Sequence, residues 1–81
     1  MNDAELRRRV TGIFREVFDD DTLEIHDRLT AKDVEGWDSL NHINLIVAIE
    51  RALKVKFTTR EVGKLADVGE LLALIRAKLP A

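Results

Sequence analysis

Residues 38–53 read DSLNHINLIVAIERAL, and this stretch decides the fold. Its apolar residues recur at spacings of three and four, the period of a helix face. They are Leu40, Ile43, Leu45, Ile46, Val47 and Ile49. Asp38 is a candidate N-cap, and Lys54 and Lys56 follow the run, where cations suit the helix dipole. We predict a helix from Ser39 to about Leu53, and its broad apolar face predicts that it is the most buried helix.

A helix is also predicted upstream, from Asn2 to about Phe18, with Asn2 as N-cap and Glu5 reaching back to it. Its apolar face consists of Leu6, Val10, Ile13, Phe14 and Val17. Residues 19–38 between the two helices lack a helical stripe, and connections of this length are often functional. We predict an ordered loop, held on the core by its isolated apolar residues. These residues are Leu23, Ile25, Leu29, Val34 and Trp37.

Two further helices are predicted downstream. Thr58 and Glu61 form a capping box, and the nearby Gly63 indicates that this third helix is short. Asp67 and Glu70 have the same spacing and begin a fourth helix that runs to about Leu79. Facing apolar stripes predict a core between the second and fourth helices. Its predicted members are Ile46, Val47, Ile49, Leu72 and Ile75. The prediction is an all-α four-helix bundle, one domain over residues 1–81, with a long loop after the first helix.

Composition excludes several classes of function. The chain has 81 residues and no cysteine, so disulfides and thiolate metal sites are absent. No apolar run approaches the ~20 residues that span a bilayer, and no signal peptide is recognisable, so we expect a cytoplasmic protein without membrane insertion. No basic face for nucleic acid is present. Glu24, His26 and Asp27 lie in an acidic loop without the spacing of a calcium site, so no metal is expected.

Ser39 is the only serine, and it stands at a predicted helix N-terminus, where backbone N–H groups and the helix dipole stabilise a phosphate ester. An ordinary capping serine is the alternative. His42 lies three residues on, and a Ser–His catalytic pair would need contact and an orienting group, so we favour a solvated surface histidine. For Trp37 we favour packing on the core over a role as partner anchor.

The residues Gly36-Trp37-Asp38-Ser39-Leu40 resemble the modification motif of acyl and peptidyl carrier proteins. The resemblance continues through residues 41–50, including Leu45, Ala48 and Glu50, and resumes at residues 65–68. With the order of the helices and the long first connection, it covers nearly the whole chain. The sequence is therefore identified as a member of the phosphopantetheine-binding carrier family.

The resemblance implies a carrier and not an enzyme. Ser39 would receive 4′-phosphopantetheine from a phosphopantetheinyl transferase, and Asp38 matches the position that assists attachment by binding Mg²⁺ during transfer. The resemblance implies acyl-loading and acyl-using biosynthetic enzymes as partners. It also implies that the carrier is a monomer. Acyl carriage is favoured over aminoacyl or peptidyl carriage, although the motif serves both. The alternative function is that of a helical interaction module that carries no cargo, in which Ser39 is only a helix cap.

The sequence departs from typical fatty-acid carriers, which are acidic along the second helix and dock on basic patches. The corresponding positions here are Asn41, Asn44 and Arg51, and the region of the third helix carries Arg60 and Lys64. These departures predict a dedicated carrier for a specialised pathway of fatty-acid-like, lipid or polyketide type.

Overall fold

The computed structural model describes residues 1–79 and contains four helices in that range. They are α1 (Asp3–Val17), α2 (Ser39–Leu53), α3 (Thr59–Gly63) and α4 (Val68–Lys78). No strand occurs in the described residues, and none of their helices is long and apolar enough to cross a membrane. The predicted all-α fold, with a short third helix and a long first connection, is confirmed.

Each helix begins at a side-chain cap that the sequence predicts. Asn2, Asp38, Thr58 and Asp67 each accept a hydrogen bond from the backbone N–H three residues on. Thr58 and Glu61 complete a reciprocal capping box. The predicted return of Glu5 to Asn2 is not observed, because the Glu5 carboxylate lies 3.6 Å from the Arg9 guanidinium on the next turn.

One hydrophobic core is shared by α1, α2, α4 and the first loop. Each of the three long helices buries four apolar side chains. Those of α2 and α4 are Leu45, Ile46, Ile49, Leu53, Val68, Leu71, Leu72 and Ile75. The core positions predicted at Ile46, Ile49, Leu72 and Ile75 are therefore confirmed.

The prediction that α2 is the most buried helix is wrong, and so is the core position of Val47. Val47 is 38% exposed, Ile43 57% and Leu40 68%. The α2 sequence is apolar on nearly all sides, but only one side of a helix can face a core built from the other helices. The buried side contains Leu45 and Ile49, and the three exposed residues occupy the opposite side.

The loop between α1 and α2 is fixed to the start of α4 by two backbone hydrogen bonds. The Val68 N–H donates to the Leu29 carbonyl at 2.9 Å, and the Gly69 N–H donates to the Asp27 carbonyl at 2.8 Å. A Cβ at residue 69 would lie only 2.9 Å from the Asp27 carbonyl oxygen, so glycine is required there. The ordered loop is confirmed.

The five apolar residues of the loop lie against the core, as predicted. Leu29 and Val34 are buried, whereas Leu23, Ile25 and Trp37 are partly buried and pack on the core from outside. These contacts fix both the middle of the loop and its last turn, which leads into α2.

Candidate functional site

Ser39 is the first residue of α2, as the sequence predicts, and its side chain is exposed. Its hydroxyl makes no hydrogen bond within residues 1–79, because the capping function belongs to Asp38. An unoccupied hydroxyl at the start of a helix is accessible for chemical modification.

The approach to Ser39 is fixed by a small network of hydrogen bonds. The Asp38 carboxylate accepts from the Asn41 backbone N–H at 2.8 Å, and the Asp38 carbonyl accepts from the His42 N–H at 2.8 Å. The Asn41 side-chain amide donates to the Gly36 carbonyl at 2.7 Å. Gly36 has φ +87°, a conformation that glycine adopts without strain. The loop and the first turn of α2 thus form one rigid corner.

Trp37 packs on the core, as predicted, through aromatic residues in α1 and at its C-terminal cap. Its ring meets Phe14 edge-on with 5.4 Å between centroids, and it lies 5.8 Å from the Phe18 ring. Its indole N–H donates to Nδ1 of His42 at 3.0 Å. Phe14 is completely buried, so the tryptophan connects the site directly to the core.

His42 is partly buried, so the prediction of a solvated surface histidine is wrong. Its Nδ1 accepts from Trp37, which leaves the proton on Nε2, and Nε2 lies 3.4 Å from the Val62 carbonyl near the end of α3. Both ring nitrogens are therefore engaged. His42 joins the end of the loop, α2 and α3, and it is not positioned as a general base for Ser39.

A groove of about 600 Å³ opens beside Ser39, between the start of α2 and α3. Apolar parts of its wall come from Trp37, Ile43, Val62 and Leu65. An open groove with apolar walls, next to an exposed hydroxyl, fits a slender flexible chain attached to that hydroxyl. The residues present are thus compatible with the phosphopantetheine arm that the sequence predicts.

The short helix α3 is held in place on the other side of this groove by Glu61. The Glu61 carboxylate accepts from the Thr58 backbone N–H at 2.9 Å and pairs with the Lys78 ammonium of α4 at 2.9 Å. The Thr58 hydrogen bond, with a smaller effect of Lys78, lowers the pKa of Glu61 below its ordinary value. The carboxylate is therefore ionised at neutral pH and fixes α3 to α4.

Two acidic side chains of the long loop form ion pairs with arginines of α1. Glu24 lies 2.8 Å from Arg15, and Asp27 lies 2.8 Å from Arg7. Asp20 accepts from the Thr22 hydroxyl and backbone N–H, and these bonds lower its pKa. Within the described part of the chain, no three metal-binding side chains converge.

Ser39 and Asp38 lie at the start of α2, as predicted, whereas the residues that support them were not predicted from the sequence. Asn41 and the Trp37–His42 pair determine the geometry of the corner. The positive φ of Gly36 had a signal in the sequence, because a glycine just before a helix cap often marks a tight turn. The hydrogen bond between Trp37 and His42, five residues apart, had no such signal in the sequence.

Residues 8–75 match the protein family described as the phosphopantetheine attachment site. Among solved structures, the chain is similar to the solution NMR structure of a holo acyl carrier protein from Geobacter metallireducens. The two are 44% identical, with a TM-score of 0.85, over 90% of this chain and 84% of that chain. Comparison with curated proteins gives no significant match.

Proposed function

This chain belongs to the acyl carrier family of phosphopantetheine-binding proteins, and on that basis we propose that Ser39 is the residue to which its 4′-phosphopantetheine is attached. The observation that carries the proposal is the position of the single serine. It is exposed, it begins α2, its hydroxyl is not used within residues 1–79, and it opens onto an apolar-walled groove. The first turn of α2 provides backbone N–H groups and a positive dipole end that stabilise a phosphodiester.

The bound group supplies a terminal thiol that holds cargo as a thioester. The chain itself holds the attachment oxygen at a rigid corner and presents it to partners. Both nitrogens of His42 are engaged, so this histidine is not available to activate the Ser39 hydroxyl. This arrangement favours a carrier over a small serine hydrolase.

Asp38 is proposed to assist attachment. One of its carboxylate oxygens caps α2 through Asn41, and the side chain remains exposed beside Ser39. An exposed carboxylate next to the modified hydroxyl suits a Mg²⁺ ion brought by a phosphopantetheinyl transferase, since Mg²⁺ prefers oxygen ligands and retains several waters. Capping and metal assistance use the same side chain without conflict.

We assign acyl groups as the cargo, in a single carrier domain that serves a fatty-acid-like, lipid or polyketide-type pathway in the cytoplasm. Support for acyl over aminoacyl cargo comes from the 44% identity to a holo acyl carrier protein. Mass spectrometry of the protein isolated from its native cell, with the thioester preserved, reads the cargo directly. An aminoacyl mass would overturn the assignment of acyl cargo and leave Ser39 unaffected.

Co-expression with a broad-specificity phosphopantetheinyl transferase tests the attachment site. Intact-mass spectrometry should show complete conversion of the wild type, and Ser39→Ala should remain unmodified while its melting temperature stays close to that of the wild type. Thr59→Ala is the matched control, because Thr59 also lines the groove with a hydroxyl and should not be needed. Modification of the Ser39→Ala variant would show that the arm is attached elsewhere.

A further inference from the structure

Asn41 reaches back from the first turn of α2 to the turn that precedes Ser39. Its side-chain amide donates to the Gly36 carbonyl at 2.7 Å, and the same carbonyl accepts from the Asp38 backbone N–H at 2.9 Å. The second of these bonds closes a three-residue turn with Trp37 at its centre. We call the two hydrogen bonds to the Gly36 carbonyl the Asn41 clamp.

The amide of Asn41 is itself held in the orientation that the clamp requires. A carbonyl oxygen only accepts hydrogen bonds, so Nδ2 of Asn41 faces Gly36. The Oδ1 atom of Asn41 accepts from the Asn44 side-chain amide at 3.2 Å. The Asn41 backbone N–H donates to the Asp38 carboxylate at 2.8 Å. Asn41 therefore contacts the chain on both sides of Ser39 and fixes how the loop passes into the helix.

The clamp depends on the N–H group of the side chain at residue 41. An aspartate has nearly the same shape, but an ionised carboxylate has no hydrogen to donate, and its charge repels the Gly36 carbonyl oxygen. Typical fatty-acid carriers are acidic at the positions of Asn41 and Asn44. In this chain the two amides have a use inside the domain that a carboxylate at residue 41 does not supply.

We propose that Asn41 is a positioning residue for attachment of the arm, because its clamp on the Gly36 carbonyl holds the Ser39 hydroxyl in the orientation in which it reacts. The proposal rests on attachment at Ser39. Asn41 acts through Gly36 and Asp38 and not on the reacting atoms. Without the clamp, residues 36–38 gain conformations in which the hydroxyl points away from the line of attack.

The attachment reaction is sensitive to this orientation. The Ser39 oxygen forms a bond to the phosphorus that carries the pantetheine, and the bond from that phosphorus to the nucleotide portion of coenzyme A breaks. The nucleotide leaves with the bonding electrons, and the hydroxyl proton passes to a base supplied by the transferase. A displacement of about 1 Å can slow a step of this kind by a factor of about 100.

Asn41→Ala and Asn41→Asp test the clamp in steady-state assays of apo protein with coenzyme A and a broad-specificity phosphopantetheinyl transferase. Both variants lose the donor, and only Asn41→Asp adds a charge. We expect kcat to fall roughly tenfold in both variants. In Asn41→Ala the KM for the carrier should change by less than about twofold, because positioning affects the reacting complex more than its formation. Hydrogen exchange of the Asp38 N–H, measured by NMR, should become faster in both.

Asn2→Ala is the matched control for a loss of stability. Asn2 is also an asparagine at a helix start, and its side chain accepts from the Glu5 N–H at 2.8 Å. It lies at the end of α1 opposite the rings that contact Trp37. Asn2→Ala should lower the melting temperature and leave kcat for attachment unchanged. All variants are assayed well below the lowest melting temperature of the set.

Three outcomes would overturn the proposal. They are a wild-type kcat in Asn41→Ala, an equal fall of kcat in Asn2→Ala, and changes of kcat in opposite directions in Asn41→Ala and Asn41→Asp. The last would show that residue 41 acts through charge. A wild-type protein that gains no arm, or an arm on Ser39→Ala, would contradict attachment at Ser39 itself, so the two failures are distinguishable.

Discussion

His42 illustrates how one side chain can tie three segments of the chain together. It accepts from the Trp37 indole, stacks on that ring with 6.1 Å between centroids, and approaches the Val62 carbonyl. Its removal leaves a partly buried donor without a partner, which costs about 1 kcal/mol or somewhat more. The position of α3 and the shape of the groove depend on the same residue.

We therefore expect His42→Ala to lower the free energy of unfolding by about 1–2 kcal/mol. Denaturant unfolding followed by fluorescence measures this directly, because Trp37 is the only tryptophan. The native-state emission should also shift as the indole loses its partner. His26→Ala is the matched control in the exposed loop and should change neither quantity. If the two variants behaved alike, His42 would have no special role.

The positions of single residues in the fold were predictable only where the signal is local. The placement of Asp38 and Ser39 at a helix start follows from a short motif, and the caps at Thr58 and Asp67 follow from spacings of three residues. The environment of His42 depends on how the Trp37 ring turns toward α1. No periodicity in the sequence carries that information.

Among the elements, α2 has apolar residues on two sides, and only one of these sides is buried. Ile49 is completely buried against the core, whereas Val47 faces solvent two residues earlier. A broad apolar pattern predicts that residues 39–53 form a helix, but it does not determine which side of the helix packs on the core. That choice depends on where α1 and α4 pack, which is a property of the assembled fold.

Ile49→Ala and Val47→Ala form a matched pair that tests this assignment of faces. Truncation of a buried isoleucine should cost about 2–5 kcal/mol through lost burial and the cavity left behind. Truncation of the exposed valine should change stability by about 0.5 kcal/mol or less. Thermal and denaturant unfolding measure both. Equal losses of stability in the two variants would show that the buried and exposed sides of α2 are assigned incorrectly.

At the scale of the whole molecule, one chain of ion pairs joins α4, α1 and the long loop. Arg76 of α4 pairs with Asp3, which also accepts from Arg7 at 3.1 Å, and Arg7 reaches Asp27 at 2.8 Å. The Arg7 hydrogen bond, and next that of Arg76, hold the pKa of Asp3 below its ordinary value of 3.8. The hydrogen bond from Arg7 to Asp27, and then the one to Asp3, raise the pKa of Arg7.

This network makes stability depend on pH in a defined direction. Because folding lowers the pKa of Asp3, its contribution is fully present above the ordinary value of 3.8 and is lost as the pH falls through the folded value. Asp3→Asn should therefore destabilise the protein modestly at neutral pH and low salt, and the difference from wild type should vanish in strong acid. Asp21→Asn, in the exposed acidic loop, is the control. A difference that persists in strong acid contradicts this origin.

The two hydrogen bonds between the long loop and the start of α4 join parts of the chain that are translated at different times. Leu29 and Asp27 leave the ribosome before α2, α3 and α4 are made, and their partners Val68 and Gly69 follow only when α4 begins to be translated. On a nascent chain that ends before α4, the loop lacks both anchors, and the corner at Ser39 lacks the support of the complete core. We expect a transferase to find its substrate only after α4 has been translated. Attachment of the arm would then select chains that contain a folded α4 over chains truncated before it.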